Sequence, residues 1–328
     1  MMRYILLLMV FIVLISGCTG VQDEKTTLRV FAAGSALGPL ATIEAEYEEI
    51  YPMVDVQIHG HGSIQVIRQV TDLRRQADLV VVADESLIPD MMFQPMGEGL
   101  GNFTEEYYPF ATGAIVIAYT ERSAYADEIT DENWHTILRR PDVRIGFSNP
   151  MLDACGYRAL MVVKLAENYY HDEKIFDEML GNHIHPPPRI ITTSSGTTIH
   201  LPEMIQPDGD KVRIRDGSIF LLSLLETGGI DYAFEYRSVA EEHGLHWIDL
   251  PPEIDLSSEM YDEEYGVVTV HLGFQRFSSI GMDRTGQPIV YAAAIPSTAP
   301  NKEEAVRFLG FMVDAFSTGR EAWPEPIQ

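Results

Sequence analysis

Cysteine, cationic residues and long apolar runs are all scarce in this chain. It has two cysteines in 328 residues, Cys18 and Cys155. Two cysteines cannot form a disulfide framework, so the fold must rest on burial, and the chain is long enough to bury two cores. Lys and Arg total 23 against 49 Asp and Glu, a formal net charge of −26. That balance excludes attraction to nucleic acid or to an anionic membrane surface by charge. The acids are spread along the whole sequence, as on a solubilising surface suited to a salty medium. If the ligand is an anion, long-range steering works against it and the site must win locally. The one long apolar run, residues 4–15, is 12 residues. A transmembrane helix needs about 20.

That run has a different reading. Arg3 precedes it, and the small residues Ser16 and Gly17 follow it, directly before Cys18. A positive start, a short apolar core and a small-residue cleavage site describe a signal peptide. The I-S-G-C ending resembles a bacterial or archaeal lipobox, which implies that Cys18 becomes the first mature residue and carries a lipid. A plain signal peptide or a non-cleaved anchor is the alternative. We therefore expect a signal peptide over 1–17, a lipidated cysteine and tether over 18–27, and a location on the extracellular face of the cell membrane. With Cys18 lipidated, Cys155 has no partner within the chain.

From residue 28 onward, strand and helix patterns alternate. Residues 28–32, 54–58 and 77–83 read as strands, with helical spacing over 39–50 and 64–73 between and after them. Alternation of this kind predicts parallel strands flanked by helices. Residues 110–119 read as one long strand, 133–139 as a helix, 143–147 as a strand and 154–170 as a long helix. The stretch 182–200, with three consecutive prolines at 186–188 and T-T-S-S-G-T-T later, reads as loop. A short apolar helix over 218–225, strands at 230–234, 267–272 and 288–295, and an amphipathic helix over 302–315 complete the pattern. This is the layout of an α/β chain in two lobes joined by two crossings. We expect lobe I over 28–109 plus 260–320, and lobe II over 110–259. Ligands in such layouts sit between the lobes at the carboxyl ends of strands.

Two segments share a design. F-A-A-G-S ends a strand and opens a helix at Ser35, and H-G-H-G-S does the same at Ser63. Glycine lets backbone approach a ligand, the first N–H groups of a helix lack internal partners, and serine adds a hydroxyl. Together these form an anion site without Arg or Lys. Ordinary helix capping by serine is the plainer reading of either alone. Asp153 opens the long helix after a strand and reads first as an N-cap. Glu235 ends a strand beside Tyr236, and its plainer reading is an ion pair with Arg158 or Arg237.

The motifs A-A-G-S (32–35), G-S-I (62–64), A-D-L-V-V-V-A-D (77–84), S-N-P-x-L-D-x-C-G-Y-R-A-L (148–160) and D-Y-A-F-E-Y-x-S-V-A (231–240) resemble the archaeal tungstate/molybdate-binding proteins. Those are extracellular solute-binding proteins of ABC importers. The resemblance covers residues 28 to about 314, and its last two motifs are the most discriminating. It implies a two-lobed, periplasmic-binding-protein-like (type II) fold, each lobe a mostly parallel sheet flanked by helices. Ser35 and Ser63 would hold oxo groups, Asp153 and Glu235 would coordinate the Mo or W centre, and Tyr236 would line the same cleft. It further implies a monomer that hands its ligand to an ABC permease, with no cofactor and no catalysis. One departure is visible, Ala154 where the family form D-P-C-G-Y-R has proline. It removes no ligand atom.

Two alternatives differ in kind. A receptor of the same fold for ferric ion or another anion would also use Tyr236, Glu235 and Asp153. An exported hydrolase would use Asp153 and Glu235 as acid and base. His59, His61, His183 and His185 could mark a zinc site, but the H-G-H turn reads more simply as the rim of a ligand loop.

Overall fold

The computed structural model describes residues 25–273 and 283–327. Cys18 and the expected leader and tether up to residue 24 lie outside the described residues. Among the described residues no helix is long and apolar enough to cross a membrane.

Two large sheets organise the chain. The first has the order β17-β4-β16-β3-β1-β2. Its strands are β1 (Thr26–Ala33), β2 (Val54–His61), β3 (Leu79–Val82), β4 (Tyr108–Gly113), β16 (Ile289–Ala294) and β17 (Glu325–Pro326). The second has the order β11-β6-β12-β5-β13. It is built from β5 (Ile115–Tyr119), β6 (Ile145–Ser148), β11 (Val212–Arg215), β12 (Tyr232–Tyr236) and β13 (His246–Asp249). A smaller sheet, β15-β14-β9-β8, joins β8 (Arg189–Thr193), β9 (Gly196–His200), β14 (Val268–His271) and β15 (Asp283–Thr285). A minimal pair links β7 (Ile184–His185) to β10 (Gln206–Pro207).

Central strands are apolar throughout because helices cover both faces. All four residues of β3, L-V-V-V, are buried. The helix α1 (Leu37–Ile50) buries Leu40, Ile43 and Tyr47 on one face, the spacing of an amphipathic helix. The helix α2 (Ser63–Thr71) follows β2, and α3 (Ala154–Tyr170) follows β6. A 3₁₀ turn at Ser218–Leu221 leads into α4 (Leu222–Thr227) after β11. The last helix, α5 (Lys302–Ser317), buries Ala305, Phe308, Leu309 and Met312.

Both sheets are mixed. The pairs of β1 with β2 and β3, and of β6 with β11 and β12, are parallel. The strands next to the crossings, β16 with β4 and β5 with β12 and β13, pair antiparallel. The expected single strand over 110–119 is two strands in different sheets, split at Gly113 and Ala114. Apolar residues flank the break on both sides, and a single Thr-Gly pair is too weak a signal to end a strand. The second crossing lies against the first: Ile115 N–H donates to the Asp255 carbonyl at 2.9 Å and Ile289 N–H to the Leu256 carbonyl at 2.8 Å. The expected loop over 182–200 holds β7 and the hairpin of β8 and β9. Its prolines end at residue 188, and Ile190–Ile199 pairing supplies the apolar contact beyond them.

Acidic runs such as Glu105–Glu106, Asp131–Glu132 and residues 262–264 are exposed. A surface of one sign repels itself, and salt screens that repulsion. Raising NaCl from about 0.05 M to about 1 M should raise the thermal midpoint by several degrees. A midpoint that falls with salt would show that ion pairs outweigh the repulsion.

Candidate functional site

The carboxyl ends of β1, β2 and β3 face those of β6, β11 and β12 across the cleft. Ser35 follows β1 and Ser63 follows β2, and both are buried. Neither caps a helix. The N-cap of α2 is Gly62, and no side-chain capping bond is made by the residue before either serine's helix. Instead each hydroxyl accepts one bond from the protein. Tyr291 donates its hydroxyl hydrogen to Ser35 Oγ at 3.0 Å, and Ala83 N–H donates to Ser63 Oγ at 3.1 Å. With an acceptor lone pair used on each, the serine hydrogens remain as donors for a ligand.

Asp153 occupies the N-cap position of α3 but makes no capping bond. Its carboxylate spans the cleft. Oδ1 accepts from Ser63 N–H at 3.4 Å and Oδ2 from Ser218 N–H at 3.0 Å. The two amides that an anion would use therefore converge on one carboxyl. Burial pushes the Asp153 carboxyl up, against the lowering effect of Ser148, Ser218, Ser63 and Arg158.

Glu235 lies in β12 between β6 and β5 and is fully buried. It pairs with neither arginine that its surroundings offer. Arg158 is committed to Asp84 and Tyr236, and Arg237 lies 3.7 Å from Asp249. Glu235 Oε2 accepts from the Tyr236 N–H at 2.8 Å, while Oε1 has no hydrogen-bond partner. Burial raises its pKa to about 8, only partly offset by the Tyr236 amide and the Ser218 hydroxyl, with Asp153 adding to the rise. Ser148 Oγ, at the end of β6, is likewise buried; it lies near enough to Asp153 to lower that carboxyl but makes no well-formed hydrogen bond. Orphaned buried polar atoms are rare and need a reason. Among the described residues seven such atoms occur, and these two lie on neighbouring strands beside the same cleft.

Tyr236 is buried, and its hydroxyl accepts from Arg158 at 3.0 Å, leaving its own hydrogen to donate. Cys155 is buried as well and contacts the Phe234 carbonyl at 3.5 Å through its thiol. The five residues singled out from the sequence, Ser35, Ser63, Asp153, Glu235 and Tyr236, thus border one cleft. Sequence reasoning missed Ser148, Ser218 and Tyr291. A signal for Ser218 was present. The chain contains three Gly-Ser dipeptides, at 34–35, 62–63 and 217–218, and all three open turns at this cleft. Gly62 shows why glycine is needed. A Cβ there would lie 2.5 Å from the Leu152 carbonyl oxygen and 2.8 Å from Asp153 Cβ. Only glycine lets the two lobes meet so closely.

A cation centre is not supported. His59 and His61 pack on the Phe31 ring at 5.3 and 6.3 Å, and His183 bonds Asp208 at 2.5 Å. Among the described residues no three His, Cys, Asp or Glu side chains converge as they would around a resident metal ion. An open groove of about 710 Å³ lies elsewhere, behind the crossings, against Thr112, Arg237, Asp255 and Trp323.

A fold of two lobes with a cleft between them fits a class, the solute-binding proteins. The chain belongs to the bacterial extracellular solute-binding protein family, which it matches over residues 28–323. It is 40% identical over 299 residues to the molybdate/tungstate-binding protein WtpA of Thermococcus kodakarensis, covering 89% of this chain and 79% of that one. It is 38% identical over 330 residues to the protein of the same name from Pyrococcus abyssi, covering 96% and 89%. An uncharacterized solute-binding protein of Methanoculleus marisnigri is 38% identical over 332 residues, covering 97% and 89%. Among solved structures, the periplasmic molybdate-binding protein of Azotobacter vinelandii superposes with a TM-score of 0.58 at 15% identity, covering 92% of this chain and all 100% of that one. The sulfate-binding protein SubI of Mycobacterium tuberculosis gives 0.57 at 14% identity, covering 92% and 88%. At such identities these two show the fold alone.

The raised Glu235 pKa predicts a pH dependence. The ordinary value is 4.5 and the folded value about 8. Between them the folded protein holds a proton that the unfolded chain has released, so stability falls as pH rises through that window. The thermal midpoint without ligand should fall from about pH 5 to about pH 8, and Glu235→Gln should flatten the slope. An unchanged slope in the variant would contradict the assignment.

Proposed function

We propose that this chain captures tungstate or molybdate outside the cell and delivers it to an ABC importer. The single observation that carries the reading is Glu235, a fully buried carboxyl with Oε1 unpartnered, set beside Asp153 and opposite the hydroxyl donors of the other lobe. A site of donors alone would suit any small oxyanion. Once ionised, two carboxyls among those donors would repel sulfate or phosphate. They become favourable if the ligand centre is an electron-poor hexavalent metal that accepts their oxygens, since hard oxygen donors suit such a centre. Asp153 and Glu235 are then direct ligands of the Mo or W centre, and Ser35 and Ser63 hydrogen-bond the oxo groups. Ser148 and Ser218 complete the polar lining, and Tyr236 borders it. The names of the Thermococcus and Pyrococcus relatives support the same ligand class.

The ferric alternative fits less well. Fe³⁺ wants phenolate and carboxylate ligands, whereas Tyr236 OH is held by the Arg158 guanidinium, Tyr291 OH by Ser35 Oγ, and the serines present donors. We read the carboxyl pair as ligands rather than as a catalytic acid and base, so no turnover is expected. Cys18 would anchor the protein by a lipid on the extracellular face of the membrane, as a monomer that docks on the permease when closed.

Calorimetric titration with tungstate, molybdate, sulfate and phosphate should give tight one-to-one binding of the first two and none of the others. Asp153→Ala and Glu235→Ala should each weaken tungstate binding about 10- to 100-fold and narrow the gap to sulfate. Unchanged tungstate affinity in both variants would sink the coordination claim.

A further inference from the structure

A second buried polar cluster crosses between the lobes beside the ligand residues. Asp84 follows β3 in the first lobe and is 3% exposed; Tyr157 and Arg158, in the first turns of α3 in the second lobe, are 1% and 2% exposed. The Asp84 carboxylate is divided between the lobes. Oδ1 accepts from its own lobe, from Ser86 N–H at 3.0 Å, Ser86 Oγ at 2.7 Å and Gln287 Nε2 at 3.4 Å. Oδ2 faces the other lobe. It accepts the Tyr157 hydroxyl hydrogen and lies 3.4 Å from Arg158 Nη2. The Ser86 and Gln287 bonds thus hold the carboxylate in place to receive the second lobe.

Arg158 makes two further contacts. Its Nη1 donates to the Ala83 carbonyl at 2.5 Å, again across the cleft, and to Tyr236 OH at 3.0 Å. Ala83 is the residue whose N–H donates to Ser63 Oγ. One residue of the first lobe therefore links the cross-lobe cluster to a hydroxyl of the proposed ligand site. When the lobes part, Arg158 and Asp84 must separate and rehydrate. The desolvation of a buried pair offsets much of its attraction. Its value lies in geometry, because only one relative position of the lobes satisfies the tyrosine, the arginine and the carbonyl together.

We propose that Asp84, Tyr157 and Arg158 form a lobe lock, a buried ionic contact made on closure that sets how long the closed state lasts. Asp84 and Tyr157 are positioning residues. They act through the closed geometry and lie outside the set of groups assigned to the ligand. The lock rests on the two-lobed fold, and only its ligand-release readout rests on the tungstate reading.

Two amides of the first lobe report closure directly, because their acceptors lie in the second. Ser63 N–H donates to Asp153 at 3.4 Å and Gln65 N–H to the Leu152 carbonyl at 3.2 Å. Hydrogen exchange of the full chain without ligand should be measured at residues 63–66 for the native sequence, Tyr157→Phe and Asp84→Asn. Tyr157→Phe keeps the buried ring and leaves no charge unpaired, so it carries the test if Asp84→Asn fails to fold. The lock predicts exchange at these amides faster by about tenfold or more in the variants, with the centre of β3 unchanged. Stopped-flow release of tungstate should accelerate by a similar factor while association stays constant. Native exchange at residues 63–66 in Tyr157→Phe overturns the lock, whatever the release rate. Failure of the native chain to bind tungstate would count against the ligand reading, and the exchange result would still decide the lock.

Discussion

An ionisable carboxyl with an unsatisfied oxygen in a dry interior is the constraint on which the rest of this structure depends. Glu235 is fully buried and leaves Oε1 without a partner. Leaving such a group unpaired costs stability unless it stays protonated or meets a ligand. The surrounding polar atoms point to the second outcome as the working state. Ser35 and Ser63 each keep a hydroxyl hydrogen in reserve, and Ser148 Oγ makes no well-formed hydrogen bond. The protonated carboxyl is how the empty site is tolerated, and a high-valent metal centre is what the deprotonated form would bind.

The scaffold delivers this arrangement by repeating one local device. Three times a strand ends in Gly-Ser at the cleft, twice in the first lobe and once in the second. The glycine permits close approach, and the amides of the following turn give an anion-attracting edge. In the structure the amides of Ser63 and Ser218 converge on Asp153. Asp153 therefore marks where donors from both lobes meet. A protein with a net charge of −26 gains nothing from long-range attraction for an oxyanion. On the proposed reading, recognition is left to this short-range set, with Arg158 buried nearby as part of the lobe contact.

Much of this was legible from residues alone. The strand–helix alternation gave the two-lobed α/β class, and Ser35, Ser63, Asp153 and Glu235 stood at strand or helix ends where chain direction reverses. Local pattern could not choose between capping and ligand binding for the serines and Asp153. Bonds over long sequence separations, such as Tyr291 to Ser35, remove the capping reading of the serines and leave ligand binding as the proposal. Ser148 and Tyr291 carry no local signal, because each matters only through what the other sheet places opposite it. The crossing at Gly113 was hidden for a related reason: apolar residues stand on both sides, and one glycine alone does not mark a turn. The hairpin of β8 and β9 was masked by the proline run before it.

The central claim is that both carboxyls bond the metal of the captured oxyanion. X-ray absorption at the tungsten edge of the tungstate complex tests it most directly, by counting oxygen neighbours. Direct coordination by both carboxyls gives four short oxo bonds joined by two longer carboxylate oxygens, with the longer pair reduced in Glu235→Ala. Four equivalent short bonds, as in the free tetrahedral ion, would contradict it.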